Sequence, residues 1–169
     1  TYSADRQPLL TKLLLDAARA LPDKQFIVAG AQYPQGIQWP ANVMRREHIA
    51  PDDHAHFYGL QRFTLNVTRA DMIAAGPSPS VRLFEAAACG VPIVSDVWPG
   101  IETLFRDGKE ILLARSGENV IDYLQMSHGE RLRIARAARE RVLAEHTGRM
   151  RAAELERLLH APVVREGVA

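Results

Sequence analysis

Between Gly76 and Asp96 the chain runs GPSPSVRLFEAAACGVPIVSD, and that order of residues sets the terms for the whole fold. Val91 to Val94 has the length and branching of a strand buried on both faces. The residues before it predict a helix. Ser78 is placed to cap it, and Pro79 fits its first turn, where a missing N–H costs nothing. Leu83, Phe84, Ala87 and Ala88 are expected on its packed side. Gly90 supplies a left-handed stop and Pro92 forbids continuation.

Elsewhere helical and apolar-strand patterns alternate. Pro8 to Leu21 is amphipathic, with Leu10, Leu13, Leu14, Ala17 and Leu21 on one stripe. Gln25 to Ala29 predicts a strand ending at Gly30. A Pro/Gly-rich loop with Tyr33 and Trp39 follows, then a strand near Val43. Pro51 to Tyr58 predicts a short helix, Phe63 to Val67 a strand, Gly100 to Phe105 a helix and Ile111 to Ala114 a strand. Glu118 to Met126, Glu130 to His146 and Thr147 to His160 complete a helical last third, and residues 161–169 are expected to be a frayed tail. The alternation predicts an α/β fold, a doubly wound, Rossmann-like parallel sheet in one domain over residues 1–160. With 169 residues there is material for a real core.

Twenty-one Lys and Arg against 20 Asp and Glu give a net charge of +1. With no basic stretch interleaved with aromatics, that balance argues against a dedicated nucleic-acid binder. Cys89, the single cysteine, excludes an internal disulfide and a Cys-based metal site; its alanine-rich setting predicts a buried, inert thiol. No signal peptide or apolar run of spanning length is visible, and a cytoplasmic location is expected. Thr1 is no natural start, so a longer parent chain is expected.

In a parallel α/β sheet, ligands sit outside the carboxyl ends of the strands. That rule gathers Gly30, Gln32 and Tyr33; Asn66, Thr68, Arg69 and Asp71; Gly76 through Arg82; and Ser95, Asp96 and Trp98 at one rim. A helix start offers unpaired N–H groups and partial positive charge to an anion. Arg82 on the first turn adds forked donors suited to phosphate. Glu85, three residues on, lies near the same face, where it would accept ribose hydroxyls. The plainer reading is a surface ion pair between Arg82 and Glu85.

Other patterns carry less. His54 and His56 are two apart and point to different faces of a helix, a poor metal pair. The five arginines from Arg131 to Arg141 fit a solvated helix face. No Gly-x-Ser-x-Gly elbow, Walker loop or Gly-x-Gly-x-x-Gly fingerprint occurs, which disfavours a serine hydrolase, a P-loop ATPase and a standard dinucleotide enzyme.

The segment from Ser78 to Asp96 resembles the donor-binding segment of group 1 glycosyltransferases of the GT-B fold. Leu65-Asn66-Val67-Thr68-Arg69 narrows the resemblance to a branch related to spore-maturation proteins. Tyr33-Pro34, Trp39-Pro40, His54 through Tyr58 and Glu145-His146-Thr147 fit in order, so that the whole chain is similar to the C-terminal half of a two-domain enzyme. The resemblance implies a nucleotide-sugar donor, UDP-type, held without a metal, and a hexosyltransferase reaction completed by an N-terminal acceptor-binding half.

It further implies that Glu85 holds the ribose, that the Ser80, Val81 and Arg82 amides hold the diphosphate and sugar, and that Arg6 neutralises the diphosphate together with Arg82. His48 and Ile49 match the loop framing the base. The family pairs two glutamates across seven residues, and the first of them falls at Pro77, which cannot do that work. The candidate set is therefore Glu85 and Arg82 as catalytic groups, with Arg6, Tyr33, His48, Asn66, Arg69, Ser78, Ser80, Val81 and Trp98 for donor binding. The final helix is expected to meet the missing half or to form a homodimer. Two other classes fit less well. One is a binding-only domain that has lost catalysis; the other is a flavodoxin-like interaction domain, for which Gly30-Ala31-Gln32 supplies no acidic pocket.

Overall fold

The computed structural model describes residues 2–76 and 78–160. The tail expected over 161–169, the reading placed on Pro77, and Thr1 lie outside the described residues.

Residues 4–20 form one helical run, α1, which passes from a 3-10 turn (Ala4–Arg6) through an α segment (Gln7–Leu10) and a π turn (Thr11–Leu15) into a second α segment (Asp16–Ala20). The predicted stripe lacks that π turn, a wider loop of backbone that buries Leu13, Leu14 and Leu15 in succession. Strands β1 (Phe26–Ala29), β2 (Val43–Arg46), β3 (Thr64–Asn66), β4 (Ile93–Ser95) and β5 (Leu112–Leu113) follow the expected order. The helices between and after them are α2 (His54–Gly59), α3 (Ala70–Ala74), α4 (Val81–Ala88), α5 (Ile101–Leu104), α6 (Gly117–Leu124), α7 (His128–Glu145) and α8 (Gly148–His160). The short helix α3 falls where a rim loop was expected.

Every named strand pairing is parallel, but the ladder is in two pieces. β1 pairs with β2, and β3, β4 and β5 form a separate three-stranded sheet in that order. A single continuous sheet is therefore not what forms. A cleft reaches in from the strand ends and is walled by Ile27 and Val28 on one side and Thr64 and Leu65 on the other.

Three apolar clusters hold these pieces. The first joins Leu83, Ala86 and Ala87 of α4 to Ile93, Ile101, Phe105, Ala138 and Val142. The second places Leu13 and Ala17 of α1 against Val94, Leu112, Val120 and Ile134. The third sets Leu10, Leu14 and Ala18 against Val28 and Val43. One helix thus buttresses both sheets.

Helix α4 starts after Ser80, not Ser78, and the Ser80 hydroxyl makes no capping bond. Gly90 does stop it, at φ +73°, with its N–H donating to Ala87 O and that of Val91 to Ala86 O. The arginines of α7 are not simply solvated. Arg131 Nη1 donates to Arg62 O, Arg139 Nε to Ala88 O and Arg141 Nε to Leu104 O, which pins α7 across the ends of α4 and α5. Helix α8 has no buried residue and exposes Leu155, Leu158 and Leu159.

Candidate functional site

The cleft between the two sheets is a cavity of about 510 Å³. Its entrance is built from the residue ends of β1, the start of α1, one face of α2 and the first turn of α4. Arg6, Tyr33, His48, Ser80, Val81, Arg82 and Glu85 all line it, together with Gly30, Ile49, His54, Phe57 and Tyr58.

Three guanidinium groups gather at this end. Burial first, then the nearby charges of Arg82 and Arg69, pull Arg6 below its ordinary value. Arg69 does not line the cavity but contributes to the same positive field. Asp5 fixes this corner. Its carboxylate accepts from the Ser3 hydroxyl, and that bond, with the backbone N–H groups of Ala70 and Asp71 nearby, holds it below the usual range. The amides of Val81 and Arg82 open α4 beside the arginines. They belong to the group of helix-start donors without intrahelical acceptors, and the Ser80 side chain does not cap the end.

Glu85 lies one turn into α4. Its Oε2 is 3.5 Å from the Tyr58 hydroxyl and 3.9 Å from His54 Nδ1. His54 and Tyr58 are four residues apart and so share one face of α2; the expected parting of His54 from His56 also holds, with His56 exposed. Tyr58 is a site residue that the sequence reading did not single out. Its spacing from His54 was visible, but nothing local says that this face meets Glu85.

Tyr33 forms one wall. Its ring centroid is 5.0 Å from that of Tyr2 and 5.4 Å from that of Trp39, and the Arg45 guanidinium carbon sits 4.1 Å over it. The turn beneath is unusual, with φ of 139° at Gly30 and 69° at Gln32; left-handed backbone at a non-glycine residue is a local strain that collects at binding sites.

Three candidates lie elsewhere. Asn66 is fully buried, its Nδ2 donating to Thr68 Oγ1 and Ser95 Oγ, because the β3–β4 register sets it opposite Ser95. Trp98 packs into the core with Ile101 and Phe105 rather than facing the rim. Ser78 precedes the true helix cap and does not line the cavity. Asp96, also expected at the rim, is buried, and its Oδ1 accepts from the Thr68 N–H and hydroxyl, each at 2.9 Å. Cys89 is half-buried, and burial pushes its thiol up, away from nucleophilic use.

Among the described residues no cluster of three or more His, Cys, Asp or Glu side chains could hold a metal ion, and no helix is long and apolar enough to cross a membrane.

Comparison with known proteins agrees with this geometry. Residues 6–157 match the family described as glycosyl transferase-like. D-inositol 3-phosphate glycosyltransferase of Mycolicibacterium smegmatis is 31% identical over 148 residues, covering 83% of this chain and 34% of that protein. This chain thus spans about a third of the length of that relative. Among solved structures, Anabaena HepE in complex with UDP-glucose superposes with a TM-score of 0.71 at 18% identity, over 95% of this chain and 47% of that one. Sucrose-phosphate synthase of Thermosynechococcus elongatus gives 0.68 at 19% identity, over 86% and 41%. At those identities the likeness establishes the fold, that of a GT-B C-terminal domain.

Proposed function

This chain belongs to the glycosyl transferase-like family, and from that membership we propose that it is the donor-binding half of a glycosyltransferase, holding a nucleotide-diphosphate sugar of the UDP type. The observation that carries the reading is the convergence of Arg6 and Arg82, with Arg69 adding charge, beside the open first turn of α4 and the carboxylate of Glu85, all at one cavity. A diphosphate suits three guanidinium groups and free helix amides. A ribose diol suits Glu85. HepE, of the same fold, has been solved with UDP-glucose, which supports the choice of nucleotide.

In glycosyl transfer the bond from the anomeric carbon to the diphosphate oxygen breaks as the acceptor oxygen bonds to that carbon. Negative charge grows on the leaving diphosphate. Arg6, Arg82 and the amides of Val81 and Arg82 are placed to stabilise that charge without a metal. Glu85 orients the nucleotide, and the acceptor and its base come from an N-terminal half. The exposed Leu155, Leu158 and Leu159 of α8 support such a partner surface; a homodimer through the same helix is the competing arrangement. The Leu65–Arg69 sequence supports placement in the spore-maturation-related branch, and the lone Cys89 supports a cytoplasmic setting.

The test is calorimetric titration of this chain with UDP, GDP, ADP and CMP, repeated on Glu85→Ala and Arg82→Ala. Each substitution is expected to weaken the favoured nucleotide about tenfold or more, as for a lost hydrogen bond to a charged group. Unchanged affinity in both variants refutes the placement.

A further inference from the structure

We propose that Tyr58 is a positioning residue of this site, its phenol holding Glu85 so that the carboxylate meets a ribose. The proposal rests on the donor-site reading and names a group that the reading leaves without a task.

A buried tyrosine often only fills space. The ring of Tyr58 does belong to the core cluster of Leu83, Ala86 and Ala87, and just 7% of the residue is exposed. Phenylalanine would serve that purpose equally, so the hydroxyl calls for its own explanation. Its partner is on α4: it donates to Glu85 Oε2 at 3.5 Å. Burial is the main cause raising the phenol above its ordinary value, so it stays protonated and able to donate at neutral pH.

The geometry around it is well anchored. His54, one turn earlier on α2, bonds through Nε2 to Ile49 O at 3.2 Å, and its Nδ1 lies 3.9 Å from the same Glu85 oxygen. Glu85 is 38% exposed at its side chain and would otherwise sample several rotamers, each lost on binding a ligand. The hydroxyl restrains it, which pre-organises its contact to a ligand.

Tyr58→Phe in this chain, with UDP and its dideoxyribose counterpart as probes in calorimetry, tests this. The melting temperature is expected to stay that of the parent. Affinity for UDP is expected to fall about tenfold, and that for the dideoxy probe by about threefold or less, because the contact that Glu85 would make is already missing there. In a Glu85→Ala background the effect of Tyr58→Phe on UDP should shrink in the same way. Equal losses for both probes, or no loss for either, overturn the positioning role while leaving the donor site standing. A parent chain that binds none of UDP, GDP, ADP and CMP overturns the donor-site reading, and the role of Tyr58 with it.

Discussion

Gly117 opens α6 where that helix crosses α1, and the crossing has no room for a side chain. A Cβ at this position would lie 2.8 Å from the carbonyl oxygen of Lys12 and 3.6 Å from Asp16 Cβ. Ordinary carbon–oxygen contacts start near about 3.3 Å, so Gly117→Ala must separate the two backbones by roughly 0.5 Å. The oxygen belongs to the π turn of α1 and has no flexible side chain to swing aside. Nor is α6 free to slide: Ser116 Oγ accepts from the Asn119 N–H at 3.3 Å, and Val120 sits in the core. Overpacking of this kind costs about 1–3 kcal/mol. For a chain of this size the middle of that range lowers the melting temperature by about 4–8 °C. Gly129 gives the control with the opposite sign. It is the second residue of α7, has nothing within 4 Å of a built Cβ, and Gly129→Ala should stabilise by about 0.4–1 kcal/mol through the unfolded chain. Thermal denaturation of both variants by circular dichroism decides the matter. A Gly117→Ala chain that melts at or above the parent would refute the reasoning, since it would mean that the two helices part freely.

Further outcomes follow from single side chains. Burial raises the Asp96 carboxyl above 3.8 in the folded chain, so the folded state holds that proton more tightly than the unfolded one. Its contribution to stability is then full below pH 3.8 and is lost as pH rises through the raised value. Asp96→Asn should therefore gain on the parent over that rise and hold its gain above it, read from melting temperatures across pH; a constant difference would refute the assignment. Ser127→Ala removes the half of the capping box in which Ser127 Oγ accepts from the Glu130 N–H, and keeps the half in which the Ser127 N–H donates to Glu130 Oε2. A loss of about 1 kcal/mol in denaturant titration is expected, and none if the helix start frays in the parent.

The helix–strand alternation was legible because each element carries its own period and punctuation; Gly90 is one such mark. The cap of α4 was not. Ser78 and Ser80 both satisfy the local rule, and the docking of Leu83, Ala86 and Ala87 selects Ser80. Arg6, Arg82 and Glu85, expected the first by resemblance and the others also by chemistry at a helix start, line one cavity. Asn66 and Trp98 were misplaced because polarity or aromaticity after a strand looks the same whether the side chain faces the rim or a neighbouring strand. The register of β3 on β4 decides that for Asn66. Tyr58 was missed because its partner lies 27 residues away, a separation over which periodicity says nothing.

The π turn of α1 has a consequence for angular phase. Each residue of an α-helix advances the chain by about 100°, and a π turn accommodates one residue more than the regular winding. Arg6 precedes that turn and the leucines buried against both sheets lie within it. Loss of a single residue between Thr11 and Leu15 could leave a regular helix with its apolar contacts largely re-formed. Straightening the π turn with every residue kept would instead rotate the segment before it by about a quarter of a revolution, and Arg6 would face away from the cavity that it now lines.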